Sequence, residues 1–411
     1  MSIILGLISS VIWARMVPVD TYGHYKVILS WIGIISSFSF SGFSESLRIS
    51  AAKRYDGNLL KILKIRGGIT LLGAIVLGAA AFFYRASQPA LAAGLFLAAL
   101  LFPLYKLQDI WLSWLLGRGK LNRWSFYQIG ISVLQMVGLV AFAATGLTAL
   151  PNLLIAIIGV PSLISLFIMV SILRGRTNRD IDRETIQFGL HASFVIFLTS
   201  LANTDTIIIN RYLSPADVAV YAIALIFPKQ IKSLYGIFGQ LFAPQIYKAE
   251  SVAEAWDYLR DKFVILMGVF VLIGVVGFVA VPIFVPMLFS ERYASAVPYA
   301  KWMWLSLAVT GPTVYLGNVL RAQQKVKFVY GYSIAYYVLL FGAYLILVRF
   351  GLTGMVLARS AMYIISALIY VVGFVYYLRF SSTESIGRET AVDPEPDCSN
   401  SHYDLLMGQN P

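Results

Sequence analysis

The sequence predicts an all-α polytopic membrane protein of about twelve transmembrane helices. These form two six-helix lobes related by a parallel pseudo-two-fold repeat. Three observations predict this. Of 411 residues, 59% are hydrophobic and 13% charged, with a mean hydropathy of +0.76; soluble domains run at about 45–50% apolar and about 25% charged. Lys and Arg alternate from dense to sparse along successive inter-span loops. A segment near the start recurs without a gap at mid-chain.

Apolar runs between charge or Pro/Gly punctuation give the candidate spans 2–15, 26–47, 68–84, 90–116, 126–147, 153–173, 186–208, 218–246, 263–288, 297–320, 328–348 and 352–378. A spanning helix needs about 20 residues, so the first is short. The eighth is long and is expected to bend near Pro228, which cannot donate a helical hydrogen bond.

Orientation follows from the basic loops. Arg48, Lys53, Arg54, Lys61, Lys64 and Arg66 follow span two; Arg118, Lys120 and Arg123 follow span four; Arg174, Arg176, Arg179 and Arg183 follow span six. Lys248, Arg260 and Lys262 follow span eight, and Arg321, Lys325 and Lys327 follow span ten. The intervening loops hold only Arg15 and Lys26, Arg85, Arg211, Arg292 and Arg349. This alternation predicts a multi-pass protein with both termini cytoplasmic. It also accounts for most of the net charge of +12 without a nucleic-acid partner. The lobes are expected at 1–175 and 186–378. The polar, acidic segment 379–411 is expected to be a disordered cytoplasmic tail.

Cys398 is the single cysteine and His24, His191 and His402 are scattered. Neither a disulfide framework nor a metal site is expected. No Gly-rich phosphate loop with Lys-Ser/Thr occurs, and no Ser-His-Asp set is identifiable, so no catalytic residue is assigned.

The repeat aligns 12–25 with 208–221, pairing Arg15 with Arg211 and Tyr25 with Tyr221. Spans one and seven are then equivalent, and both lobes insert the same way up. Parallel repeats are a transporter plan with the substrate path between the halves. The symmetry also predicts a fuller first helix, longer by about 10–20 residues: span seven has a polar lead-in, 179–185, and a run of more than twenty residues before Arg211, against fourteen before Arg15.

The run Ala14-Arg15-Met16-Val17-Pro18-Val19-Asp20-Thr21-Tyr22-Gly23-His24-Tyr25 resembles an "R-L-G-P-x-x-Y/F-G-x-Y" element. Asp205-Thr206-Ile207-Ile208-Ile209-Asn210-Arg211-Tyr212-Leu213, followed by Tyr221-Ala222, resembles its second-lobe counterpart. These elements belong to the polysaccharide-transport branch of the multidrug/oligosaccharidyl-lipid/polysaccharide flippase superfamily, which holds the O-antigen and capsule repeat-unit flippases. The resemblance covers residues 1 to about 380. It implies a transporter in the bacterial inner membrane that moves an undecaprenyl-pyrophosphate-linked oligosaccharide by alternating access, coupled to Na⁺ or H⁺ and without a cofactor. Its implied partners are the anionic lipid-linked glycan, membrane lipid and the glycan polymerase machinery. A small-molecule or cation antiporter of the same superfamily is the nearer alternative. A glycan polymerase or ligase is the further one, since the outer loops are too short for a catalytic domain.

Ionisable groups inside spans are costly and are functional candidates. Lys106 and Asp109 are three apart on span four, and Lys229 and Lys232 are three apart on span eight. The two like charges on span eight favour an anion between them, such as a pyrophosphate headgroup, unless Lys232 snorkels to the surface. Lys106–Asp109 reads equally as a local ion pair. Arg359 lies about 10 Å inside span twelve and needs a carboxylate or an anionic substrate. Lys106, Lys229, Lys232 and Arg359 are therefore the headgroup candidates. Asp205, beside Asn203 and Thr204, is the ion-coupling candidate, with Asp109 as a second; Asp205 could instead pair with Arg211 or a lumen lysine. Arg15 and Arg211 read as interfacial anchors, and Glu45–Arg48 as a structural pair. Trp111, Trp114, Trp302 and Trp304 fit an aromatic belt better than a sugar-stacking platform.

Overall fold

The computed structural model describes residues 2–389 apart from 39–41, 176–177, 201–202, 250 and 324–325. Among these residues the chain forms twelve helical spans and no strand. Span one is α1 (Ser2–Met16). Span two is α2 (Val19–Phe38) with α3 (Phe43–Ala52), bent by 60°. Span three is α4 (Asp56–Tyr84), and span four is α5 (Pro89–Tyr105) with α6 (Leu107–Gly117). Span five is α7 (Leu121–Ala144); span six is α8 (Leu150–Leu154), a π turn (Ile155–Gly159) and α9 (Val160–Arg174). The second lobe starts with α10 (Arg183–Ser200) and α11 (Thr204–Tyr212), then α12 (Pro215–Ala224) and α13 (Ile226–Lys248). Span nine is α14 (Val252–Phe289). Span ten is α15 (Val297–Thr310), a 3-10 turn (Gly311–Thr313) and α16 (Val314–Ala322). The last hairpin is α17 (Val326–Leu347) and α18 (Gly351–Glu389).

Six helical segments are long and apolar enough to cross a membrane unaided, one of them, Tyr330–Arg379, taking in the last hairpin. Span eight is divided by a break with an identifiable cause. Pro228 removes the hydrogen bond to the carbonyl of Ala224, and α12 ends at that residue. Within one of the six, Leu150–Arg174, Pro161 likewise frees the carbonyl of Ile157 without ending the span; that carbonyl accepts instead from Gln135 Nε2 at 2.7 Å. Helix starts are equally local. Ser214 and Asp217 cap α12 reciprocally, with Pro215 at the first helical position. Asp182 accepts from the backbone N–H of Glu184 and Thr185 at the start of α10; hydrogen bonding, with the Thr185 hydroxyl foremost, holds its carboxyl below the usual range.

The repeat is visible in the helices. The alignment that pairs Tyr25 with Tyr221 also pairs Val19 with Pro215, where α2 and α12 begin. Both tyrosines are buried. The two helices pack on each other across the lobe interface. Gly23 sits at that crossing: a Cβ there would lie 1.9 Å from the carbonyl oxygen of Pro215. One apolar cluster, including Trp13, Tyr22, Val281 and Tyr293, joins the lobes; two others lie within single lobes. Leu72, Ile75, Phe83, Val264, Val276 and Leu368 face outwards, the inverted surface of a chain solvated by lipid.

Four points differ from the sequence reading. Lys26 lies inside α2, not in a loop, and Arg66 lies inside α4. Trp111 and Trp114 are buried against the first lobe's core rather than forming a belt. The helix α18 runs to Glu389, into the segment 379–411 whose composition predicts disorder; residues 390–411 lie outside the described residues. Glu45 and Arg48 do pair, at 2.8 Å.

Close packing gives one stability test. A Cβ on Gly277 would lie 1.9 Å from the Trp304 ring, whose Nε1 donates to the Ile273 carbonyl at 3.0 Å. Gly277→Ala is expected to displace the indole and lower stability by about 1–3 kcal/mol. Thermal unfolding in detergent checks it.

Candidate functional site

The lobes meet at the end of the bundle that carries the sparsely charged hairpins. There Arg15 donates through Nε to the Leu288 carbonyl at 2.8 Å and also reaches the Met287 carbonyl. Arg292 returns the contact, donating to the carbonyl of Arg15 at 2.7 Å. Asn210 donates to the Gln88 side chain at 3.0 Å. Arg15 is thus an inter-lobe clasp as well as an end-of-span cation. Beneath it the Trp13 and Tyr25 rings stack at 4.0 Å, and the Tyr293 ring meets Tyr22 edge-on at 6.4 Å. These buried rings form an aromatic plug within the apolar cluster that joins the lobes.

Below the plug a cavity of about 410 Å³ is lined from both lobes: Ser10 of α1, Lys26 of α2, Asp205 of α11, Lys229 and Gln230 of α13, and Arg359 of α18. The break in span eight at Pro228 aims the first turn of α13 at this space. Asp205 is buried and takes an ion pair from Arg359. Its Oδ2 also accepts from the Tyr221 hydroxyl at 2.9 Å, and its Oδ1 from the Thr206 N–H at 2.6 Å. Arg359 further donates to the hydroxyls of Tyr221 and Tyr363, both at 3.1 Å. The two intramembrane charges on spans seven and twelve therefore satisfy one another.

Lys26 and Lys229 have no carboxylate partner among the described residues. Lys26 lies 4.9 Å from the Tyr22 ring centroid and 5.4 Å from that of Tyr25, a cation–π setting that leaves its charge facing the cavity. Lys229 is exposed into the cavity, where the positive charges of Lys26, Arg359 and Lys232 act on it and the negative charge of Asp205 opposes them. Around a neutralised Asp205–Arg359 pair, the cavity is net positive.

Lys232 turns to a neighbouring cavity of about 590 Å³ in the second lobe, where Arg321, Tyr332, Tyr363 and Tyr370 also take part. Its ammonium lies 5.1 Å from the Tyr363 ring, and Arg321 donates to the Tyr370 hydroxyl at 3.2 Å. Tyr363, bonded to Arg359, links the two cavities.

Lys106 and Asp109 are elsewhere. Lys106 marks the break between α5 and α6 and pairs with Asp109. Arg66 of α4, fully buried, approaches the same carboxylate at 3.3 Å. Two cations share one carboxylate inside the first lobe. The structure thus brings Lys229, Arg359 and Asp205 together, sets Lys232 beside them, and separates Lys106 and Asp109. Sequence reasoning missed Lys26, Arg66 and Arg321, each counted as a loop charge, and the tyrosines. Pro18 and Asp20 are helix-start signals that could have placed Lys26 inside a span. Trp302 faces outwards, and Trp304 is tied to the Ile273 carbonyl, so neither stacks in a cavity.

The family model described as polysaccharide biosynthesis protein matches residues 1–242. No curated protein matches the sequence. Among solved structures, the inward-facing conformation of a multidrug resistance MATE family transporter of the MOP superfamily aligns with a TM-score of 0.67 at 13% identity, covering 96% of each chain. The Lipid II flippase MurJ in an inward closed conformation aligns at 0.62 and 12% identity, over 97% of this chain and 92% of that one. A MOP superfamily transporter from Pyrococcus furiosus, described as having a binding pocket of reverse polarity, aligns at 0.59 and 14%, over 92% and 93%. With more than half of its length matched, the chain belongs to the polysaccharide biosynthesis protein family and has the transporter fold of the multidrug/oligosaccharidyl-lipid/polysaccharide flippase superfamily.

Proposed function

We propose that the protein is a flippase that carries an undecaprenyl-pyrophosphate-linked oligosaccharide repeat unit across the bacterial inner membrane by alternating access. The observation that carries this reading is the cavity between the lobes, where Lys26 and Lys229 converge and the lining carboxylate, Asp205, is ion-paired with Arg359. Like charges facing one cavity call for an anion, and a pyrophosphate supplies one with several acceptor oxygens. The family's description, and a structural relative that is a Lipid II flippase, support a lipid-linked glycan over a cationic drug.

In this reading Lys229 and Lys26 hold the headgroup, with Lys232 flanking it. Arg359 joins them when Asp205 gains a proton or Na⁺ and releases it, which makes Asp205 the coupling residue. Lys106 acts only through the net positive charge of its cluster with Arg66, and Asp109, held by two cations, is the weaker coupling candidate. The lobes are taken as 1–175 and 186–378. The basic loops favour cytoplasmic termini and a periplasmic clasped end, and in that orientation this conformation faces inwards. Association with the glycan polymerase machinery belongs to the same reading.

Binding tests it. The purified protein is titrated with undecaprenyl-pyrophosphate glycan at two salt concentrations. Lys229→Ala is expected to weaken binding about tenfold and Lys229→Glu about a hundredfold, the loss of one and two favourable charge contacts at roughly 1.4 kcal/mol each. Equal affinity in all three proteins, or tighter binding of an organic cation by wild type, contradicts the reading.

A further inference from the structure

The end of the first lobe that lies opposite the clasp holds a second charged cavity, separate from the one between the lobes. It encloses about 440 Å³ where the chain enters α4, leaves α6, enters α7 and leaves α9. Its cations are Arg54, Arg118, Lys120 and Arg123, and its single carboxylate is Asp56. That carboxylate is buried and ion-paired with Arg118, whose guanidinium also lies 5.0 Å from the Trp114 ring centroid. Arg118 is therefore fixed, and its charge is compensated. Arg54, Lys120 and Arg123 have no carboxylate partner among the described residues.

The turn from α3 into α4 has a fixed geometry. Arg54 has φ of 62°, a left-handed conformation that costs a non-glycine residue free energy unless its surroundings impose it. The end of α3 sets it, with the Tyr55 N–H returning to the Ser50 carbonyl at 2.9 Å, and the linker between the lobes braces it. Asn178 donates to the Arg54 carbonyl at 2.8 Å and accepts from the Asp56 N–H at 3.0 Å. A positive-inside signal needs charges but not a fixed geometry. Beside the cavity, Leu121, Phe126 and Phe167 are exposed on the lipid-facing sides of α7 and α9. Cations in a pocket at the membrane surface, with apolar side chains next to it, match a phosphodiester headgroup whose acyl chains run along the protein.

We propose that this cavity is a binding site for an anionic glycerophospholipid of the leaflet at the basic end. Arg54, Lys120 and Arg123 hold the phosphate, and Arg118 is positioned by Asp56 and Trp114. The site is independent of the transport cavity. It ties the ends of spans three to six to each other and to the inter-lobe linker through a lipid.

The test uses the full-length protein in phosphatidylcholine nanodiscs with added phosphatidylglycerol, scored by native mass spectrometry for retained lipid. Wild type is expected to retain phosphatidylglycerol over phosphatidylcholine and to melt at a higher temperature when it is present; inorganic phosphate should not displace it. Lys120→Gln/Arg123→Gln should lose that preference about tenfold or more while melting like wild type in phosphatidylcholine alone. Lys120→Arg/Arg123→Lys should keep the preference. Equal retention by the Gln variant overturns the site. Displacement by inorganic phosphate overturns the lipid and leaves a simple anion site.

Discussion

Arg359→Ala is expected to destabilise the protein by about 3–5 kcal/mol and to abolish transport. Asp205 is buried, and Arg359 is its charge partner. Removing one member of a buried pair leaves the other uncompensated, which costs that much. Tyr221 and the Thr206 N–H still donate to Asp205 but bring no charge. Asp205→Asn/Arg359→Gln removes both charges and keeps hydrogen-bonding groups, so most of the stability should return. Transport should not, because neither the coupling carboxylate nor the guanidinium is present. Thermal unfolding of the single and double variants, read beside glycan transport, separates the two roles. A double variant that is no more stable than Arg359→Ala would contradict the buried-pair account. A double variant that transports normally would remove both residues from the mechanism.

Gly23→Leu is expected to hold the clasped end open and cut transport at least tenfold. At Gly23 the backbone of α2 approaches the Pro215 carbonyl so closely that a single added carbon would lie 1.9 Å from it. No rotamer relieves a clash at Cβ, so the helices must separate. The closed gate has little in reserve: the Trp13 Nε1 and the Tyr293 hydroxyl are buried there without a hydrogen-bond partner among the described residues, each costing about 1–3 kcal/mol. A shift of 1.4 kcal/mol in the balance between open and closed gates is tenfold in population. The readout is labelling of Ser30→Cys, which lines the cavity, by a membrane-impermeant thiol reagent added from the clasped side. Cys398, the single cysteine, is replaced by Ser in that background. The labelling rate should rise about tenfold with Gly23→Leu. An unchanged rate would mean that α2 and α12 do not form the gate.

The helical, two-lobed architecture was legible because lipid solvation imposes one pattern over the whole chain. Apolar length, alternating basic loops and the Ile12–Tyr25 repeat each report it independently. The bend at Pro228 was legible for a local reason, the missing N–H. The gate was less so. Gly23 looked like part of a motif, and only the crossing of α2 with α12 shows what its missing side chain does. Individual charges were legible in kind but not in partner. Lys229 and Arg359 were identifiable because an intramembrane cation is costly wherever it sits. That Arg359 meets Asp205 is a contact across 154 positions, which no local spacing encodes. Lys26 and Arg66 were missed because counting charges between apolar runs assigns those in a helix's first turns to the loop. Lys106 and Asp109 satisfied the i, i+3 rule, but the rule could not reveal that Arg66 shares their carboxylate.

In the proposed mechanism, Lys26 and Lys229 in the cavity between the lobes receive the pyrophosphate of a lipid-linked glycan. The most direct measurement is transport in liposomes carrying a fluorescent undecaprenyl-pyrophosphate glycan, scored by a quencher that reaches only one leaflet. Wild type is compared with Lys26→Ala/Lys229→Ala at matched thermal stability. Wild type is expected to expose the glycan, and the variant to do so at least about a hundredfold more slowly, two charge contacts at roughly tenfold each. Equal rates for the two proteins, or a wild type that leaves the glycan in place and exchanges Na⁺ or H⁺ for a small organic cation, would contradict that mechanism.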